Sequence, residues 1–553
     1  MHRETRGLHE AAYLLGLFAF LSQILALVRD RLLAASFGAG SALDAYFAAF
    51  RIPDLILISA ASLVSASILI PLLVARERED TAHAKAFVDS VFSAFFAGIV
   101  VISAVAFFLA PRLVPLFFPG FTESLATETI LLTRIMLLQP ILLGVSNLFG
   151  SILQTKGRFF VYAVSPLLYN LGIIVGVVFL EPLLGLSGLA WGVVLGALLH
   201  ALVQVPSVAR TKLLPRFTFR MQWRELKHIS LLSLPRTASL AAGNIASLVL
   251  LSLASSVGAG SVAIFTLASN MQSVPLAIVG VSYSFAAFPT LVRLSAMTHA
   301  SAFTASVSTA FRSIVFWSLP ATALFIVLRA QMVRVVLGAG EFSWADTRLT
   351  AAALALFAVS LVAQALALLL LRAHYASGRT ARPFFASALA AITTVALGVG
   401  LLTLFRAHPP FAFFIEALLR VTDVPGTAAL ALPLAFSLGA FLHTGLLWAV
   451  LGESARGLWR SVYSTLFESF AAATLAGAAA YGGLNLLDNF LNLQKTAGVF
   501  LHGFLAGLLG LAAWIAVLYT LKSRELASVW ATVHQKIWRL HPVSPDPADT
   551  PTL

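Results

Sequence analysis

A chain of 553 residues that is 59% hydrophobic, only 11% charged and free of cysteine, with a mean hydropathy of +0.92, cannot hide its apolar side chains in a water-soluble core. The missing thiols also exclude disulfides, thiolate catalysis and cysteine metal sites. A net charge of +13 would suit nucleic acid, but the positions of the basic residues give it another meaning.

Apolar runs long enough to span a bilayer recur near 11–35, 45–75, 86–110, 129–154, 160–180, 184–208, 230–256, 262–292, 305–328, 349–374, 384–405, 428–451, 464–485 and 496–521. They predict an all-α polytopic membrane protein of about fourteen helices. The first run reaches Arg29 without an obvious small-residue cleavage site, so it reads as a retained helix rather than a signal peptide. The runs at 45–75 and 262–292 exceed the roughly 20 residues a bilayer needs, and Pro53, Pro71, Pro275 and Pro289 are the expected break points. With the N-terminus inside, about two thirds of the 36 lysines and arginines fall on the cytoplasmic side, so the positive-inside rule places both termini in the cytoplasm. Basicity here encodes topology, and no nucleic-acid partner is expected.

The stretch RDRLLAASFGAGSALDAYFAAFR sets Arg29, Asp30, Arg31, Asp44 and Arg51 in or beside the first two runs. Each ionised side chain at mid-membrane costs roughly 2.5–3.5 kcal/mol on insertion scales, so such residues mark a substrate or ion path. The plainer alternative puts Arg29, Asp30 and Arg31 at a helix end among the head groups. Ser59, Ser62 and Ser65, at three-residue spacing, read as a helix-packing stripe. Asn147, Asn170, His200, Gln364 and His443 read as isolated interhelical hydrogen-bonding residues.

The chain repeats itself at an offset of about 220 residues. Gly38-Ala39-Gly40-Ser41 returns as Gly258-Ala259-Gly260-Ser261, Pro53 as Pro275, Pro71 as Pro289, Gly120 as Gly340 and Gly157-Arg158 as Gly378-Arg379. Six helices lie between equivalent elements, so the copies are parallel, related by an axis along the membrane normal. The expected organisation is an N-terminal lobe (1–220, helices 1–6), a C-terminal lobe (221–455, helices 7–12) and two extra helices (456–522). A cytoplasmic tail (523–553) begins with Leu526, Val529, Trp530, Val533, Ile537 and Trp538 at interfacial-helix spacing and ends in the disordered SPDPADTPTL.

LVRDRLLAASFGAGSALDAYFAAFRIPD resembles the first-and-second-helix signature of the MurJ (MviN) lipid II flippases, in the multidrug/oligosaccharidyl-lipid/polysaccharide exporter superfamily. LTRIMLLQP (132–140), GRFFVYAVSPLLYN (157–170), GLAWGVVLG (188–196), GAGSVAIFTLASNMQSVPLAIVG (258–280), FPTL (288–291) and RAHYASGRTARP (372–383) follow in order. The resemblance covers residues 11–400 and implies two lobes around a central cavity. It implies alternating-access transport of an undecaprenyl-pyrophosphate-linked peptidoglycan precursor (lipid II) from the inner to the outer leaflet of the bacterial cytoplasmic membrane. Helices 13 and 14 would then form a groove for the lipid tail.

The chain departs from that pattern at Gln23, Leu57 and Asn270, each at a position where the family has an arginine, and at Leu250, where some members have an acidic sodium ligand. A pyrophosphate leaving bulk water needs guanidinium or ammonium partners. The substrate-binding set expected here is Arg29, Arg51 and Arg236, with Gln23, Asn244, Asn270 and Gln272 as neutral hydrogen-bonding partners. Arg236, in LPRTASLAAGN, alternatively snorkels to the interface. Asp44 is expected to pair with Arg29 or Arg31, with proton uptake as the other reading. No phosphate loop, HExxH, nucleophile elbow or zinc spacing of the histidines is present, so neither catalysis, a cofactor nor a metal is expected. Two rival functions keep the membrane fold: export of another polyprenyl-linked glycan or amphipathic compound, and a non-transporting scaffold that recruits envelope-synthesis proteins.

Overall fold

The computed structural model describes residues 8–61, 66–219, 221–297, 300–451 and 453–538, and among these there is no strand. The 30-residue α1 (Leu8–Phe37) ends in the first Gly-Ala-Gly turn and leads into α2 (Ser41–Ala49), α3 (Arg51–Ala61) and α4 (Ala66–Glu79). Next come α5 (Thr81–Phe117), α6 (Glu123–Met136), α7 (Leu138–Thr155), α8 (Phe159–Val175), α9 (Glu181–Leu184), α10 (Leu186–Leu202) and α11 (Val205–Ala209). Beyond an irregular linker lie α12 (Trp223–Ser255), α13 (Ser261–Pro275), α14 (Ser282–Ala296), α15 (Ala300–Val327) and α16 (Arg329–Val336). The chain continues through α17 (Trp344–Val359), α18 (Leu361–Ala376), α19 (Ala381–Ala407), α20 (Pro409–Leu419) and α21 (Ala431–Val450), then α22 (Glu453–Leu487), α23 (Thr496–Thr520) and α24 (Arg524–Trp538).

Among the described residues, eleven helices are long and apolar enough to cross a membrane, or twelve if the pair α17 and α18, bent by 42°, is one span. The expected second span, 45–75, is not one helix. It breaks after Ala49 and again around residues 62–65, which lie outside the described residues together with Ser62 and Ser65 of the serine stripe. Pro53 is not the break point: it sits in the first turn of α3, where a missing N–H removes no helical hydrogen bond. Pro275 does act as expected. It ends α13, and the backbone widens into a π-helical segment (Leu276–Val281) that takes up the lost hydrogen bond before α14. Pro71 and Pro289 lie inside α4 and α14 without interrupting them.

Helices α1–α11 pack mainly on one another, with α1 on α8 and α10 on α7 and α8, and α12–α21 do likewise, with α12 on α19, α13 on α17 and α19 on α21. The long pair α22 and α23 packs together and along α15. Helix α24 carries Leu526 and Val529 against the cluster of Phe316, Trp317 and Trp514. Its Glu525 accepts from Thr465 Oγ1 at 2.9 Å and pairs with Arg312 at 3.4 Å. The SPDPADTPTL end lies outside the described residues.

Candidate functional site

The two groups of helices meet at the Gly-Ala-Gly turns, where backbone touches backbone. Gly340, held at φ +53°, lies so close to the carbonyl oxygen of Ala35 that a Cβ there would collide with it, and Glu341 N donates to that same oxygen at 2.9 Å. Gly120 stands in the equivalent place against the carbonyl of Ser255, and its N–H reaches Ser255 Oγ at 3.4 Å. The separation of Gly120 from Gly340 equals that of Ala35 from Ser255, so one contact is made twice, once from each copy of the repeat. A third approach brings Gly260 against the carbonyl of Ala39. Arg31 secures the same end by donating to the carbonyl oxygens of Val335 and Val336.

Asp44 does not pair with Arg29 or Arg31. It is buried, and its two oxygens accept from Gly260 N at 2.6 Å and Ala263 N at 2.8 Å. The cause is local: α13 starts at a glycine with no side-chain cap of its own, leaving free N–H groups and the positive end of the helix dipole facing α2. A carboxylate from the opposite group of helices supplies the cap.

Arg29 lies farther along the same junction, its network reaching Asn270, seven residues past Ala263 on α13. Its Nε and Nη2 donate to Asp30 Oδ1 at 2.9 and 2.7 Å, and its Nη1 donates to Asn170 Oδ1 at 3.1 Å. Asp30 is buried, and its other oxygen accepts from Asn270 Nδ2 at 3.0 Å, so the ion pair bridges α1 and α13. Asn170 also donates to Ser22 Oγ at 3.3 Å. The Arg29 side chain keeps 18% exposure, and three of its five N–H groups are engaged, which leaves two for a further acceptor.

Arg51, the first residue of α3, reaches across to Thr266 Oγ1 of α13 at 3.4 Å. One turn later Asp54 accepts from Gln139 Nε2 of α7 at 3.5 Å. Tyr46 and Tyr169 lie within electrostatic reach of Arg29, and Tyr169 also of Asp54.

Of the expected set, the structure therefore brings Arg29, Arg51 and Asn270 to the junction of the two groups, with Asp44 at its sealed rim. Gln272 is buried on α13 with its Nε2 unpartnered, and Gln23 lies on α1 outside the hydrogen-bonded cluster. Asn244 is elsewhere: with Gln364, Ser387 and His443 it lines a separate cavity of about 400 Å3 among α12, α18, α19 and α21. The side chain of Arg236 lies outside the described residues. His200 and His443 make the interhelical bonds expected of them, to Ser146 at 2.7 Å and Ser387 at 3.0 Å.

Sequence reasoning left Asp30, Asp54, Gln139, Asn170 and Thr266 out of the set. A charge next to Arg29 pointed to Asp30. Asn170, expected as an interhelical hydrogen-bonding residue, makes such bonds to Arg29 and Ser22, but that its partner is Arg29 depends on α8 packing against α1. A second, apolar cavity of about 380 Å3 lies between α15–α16 and α23, lined by Phe325, Met332, Val336, Phe500, Phe504 and Leu508 among others.

The profile of the family described as "Lipid II flippase MurJ" matches residues 33–408. A probable lipid II flippase MurJ of Bdellovibrio bacteriovorus is 27% identical over 549 residues, covering 96% of this chain and 99% of that protein. The lipid II flippase MurJ of Burkholderia cenocepacia is 24% identical over 452 residues, 80% of this chain and 83% of its own length. Among solved structures, a lipid II flippase MurJ in an inward closed conformation superposes with a TM-score of 0.71 at 19% identity, covering 95% of this chain and 100% of the other. An inward-facing multidrug resistance MATE family transporter of the MOP superfamily superposes with a TM-score of 0.62 at 16% identity, covering 79% and 96%.

Proposed function

The chain belongs to the lipid II flippase MurJ family, and from that membership we propose that it moves lipid II, a polyprenyl-pyrophosphate-linked peptidoglycan precursor, from the inner to the outer leaflet of the bacterial cytoplasmic membrane. The observation that carries this reading is the position of Arg29: a side chain that keeps 18% exposure and, among the described residues, has two N–H groups unengaged, at the junction of two helix groups that are sealed at one end by backbone contacts, a helix cap and the bonds of Arg31.

Residues 1–220 and 221–455 act as two lobes that rock about that junction. The positive-inside rule puts both termini in the cytoplasm, so the Gly-Ala-Gly end is the outer one and is closed here. Cargo enters from the cytoplasmic side. Its pyrophosphate meets Arg29 and Arg51, and Asn270 and Thr266 supply neutral contacts from the second lobe. Charge-assisted bonds from guanidinium to phosphate compensate the loss of hydration. Asp44 belongs to the outer closure rather than to the cargo: opening that end must break the cap on α13 and separate Gly340 from Ala35 and Gly120 from Ser255. The apolar cavity beside α23 suits the lipid tail, which needs contact area but no polar partner. Transport involves no covalent chemistry, so the chain works as a carrier rather than an enzyme.

Complementation tests this directly. Cells depleted of their own lipid II flippase should survive when this chain is expressed, and should fail with Arg29→Ala at equal membrane abundance. Good expression of the unsubstituted protein without rescue overturns the assignment of cargo.

A further inference from the structure

Asp54 has no part in the transport cycle above, yet it is a carboxylate inside the bundle, one helical turn from a guanidinium assigned to the cargo. Two atoms beside it are left open. Arg51 Nε is buried with no hydrogen-bond partner among the described residues, although Nη2 of the same side chain reaches Thr266. Gln139 donates Nε2 to Asp54 Oδ1, while its own buried Oε1 has no partner. Buried polar atoms are nearly always satisfied, and an open donor and an open acceptor flanking one carboxylate mark a site whose hydrogen bonding changes during the working cycle.

A metal cation suits this place poorly. One carboxylate and one amide oxygen are too few ligands, and Arg51 repels a second positive charge. A proton suits it well, since it neutralises Asp54 and leaves Arg51 without a counter-ion. We propose that Asp54 is a proton-binding site that controls whether Arg51 is available to the anionic cargo. Ionised Asp54 offsets the charge of Arg51 through space, with no direct ion pair between them among the described residues, and protonation removes that offset and leaves Arg51 to a phosphate. Linkage makes the effect reciprocal: cargo bound to Arg51 strengthens proton binding at Asp54 by the same factor. This inference rests on the cargo reading above for the identity of the anion, but not for the proton site itself.

The helices packed on α3 are α2, α5, α6, α7 and α12. Among the described residues, the charged or titratable groups within electrostatic reach of Asp54 are Arg51 on its own helix and Tyr169 of α8. Tyr46 of α2 faces Arg29 and Asp30 instead. His200, the kind of side chain most often behind a pH response near neutrality, stands behind Tyr169 with their rings edge to face and is bonded to Ser146. It is the natural control.

The experiment uses the purified full chain in nanodiscs and a short-chain lipid II analogue with a diesterified pyrophosphate, whose phosphates stay ionised throughout. Affinity should rise roughly tenfold from pH 8 to pH 6 for the unsubstituted protein and for His200→Gln, as one linked proton allows. Asp54→Asn should bind at the low-pH level at every pH. Infrared difference spectra without the analogue should show a protonated-carboxyl band growing in over the same range and missing from Asp54→Asn. Absence of that band, or an unchanged pH slope in Asp54→Asn, overturns the proposal. A band that titrates normally with no binding at any pH overturns the cargo reading and leaves the proton site standing.

Discussion

The two Gly-Ala-Gly-Ser turns, about 220 residues apart, share their backbone role and differ in charge. Each copy of the repeat presses a glycine, Gly120 or Gly340, against the carbonyl at the end of the other copy's first helix. In the first copy the helices around the turn carry Arg29, Asp30, Asp44, Arg51 and Asp54, whereas α13 of the second offers Thr266, Asn270 and Gln272. At the rim of the second copy, Arg348 grips Asp423 with both Nη atoms at 2.6 Å and Arg420 donates to Tyr481. The glycine contacts of the closed end are thus duplicated with the fold, while the recognition proposed for the cargo is one-sided. A single anionic head group needs only one cationic wall, and the other wall has to be able to move away from it.

The comparison breaks most visibly at Arg29. Arg29→Ala should abolish rescue and also destabilise the purified protein by about 3–5 kcal/mol, because Asp30 is left buried with only Asn270 as partner. The pair Arg29→Ala with Asp30→Ala should recover most of that stability without recovering transport. If single and double variants melt together, the ion pair is not what holds α1 to α13.

Next in size are the two glycines. Gly340→Val and Gly120→Val should each disfavour the closed end by about 2–3 kcal/mol, roughly a 30- to 160-fold shift of the open–closed equilibrium. The chain has no cysteine, so a disulfide between Ala35→Cys and Glu341→Cys reports closure without background. Gly340 has φ +53° and Gly120 does not share that conformation, so Gly340→Ala should cost about 1 kcal/mol more than Gly120→Ala. Equal costs would mean that backbone strain plays no part.

What was legible in the sequence follows the same division. The helices, the repeat and its turns were readable because hydropathy and glycine position are local signals. The charged stretch 29–51 stood out as a candidate site because ionised groups in an apolar run are costly. The partners were not: Asp44 meets Gly260 and Ala263 more than 200 positions along the chain, and Asn170 reaches Arg29 only through helix packing. Asn270 was expected as a neutral hydrogen-bond donor to cargo, and in the closed molecule it spends that amide on Asp30. The break after Ala49 escaped because Pro53 drew attention to itself, although proline in a first turn interrupts nothing.

A smaller effect separates cap from charge at Asp44. Asp44→Ala removes the only side-chain acceptor of α13's first turn and should cost about 1–2 kcal/mol, seen as faster opening in the same disulfide assay. Asp44→Asn keeps an acceptor oxygen and should cost less. If Asn is as harmful as Ala to closure, the negative charge at the helix N-terminus matters more than the hydrogen bond.

The smallest expected effect lies at the rim of the second copy. Asp423 is in the loop before α21, and the hydrogen bonds from Arg348 hold its carboxyl below the usual value of 3.8. A carboxyl depressed in the folded state adds stability that is present above its unfolded value and lost as pH falls through the folded one. The melting temperature of Asp423→Asn should therefore sit slightly below that of the unsubstituted protein by a constant margin from pH 5 to pH 8, and the margin should close below pH 4. Exposure and salt screening keep it small, and raising the ionic strength should shrink it further. A margin as large as that of Asp30, or one that grows on acidification, would show that the rim charges of the second copy are coupled to the core and that the recognition is less one-sided than the two turns imply.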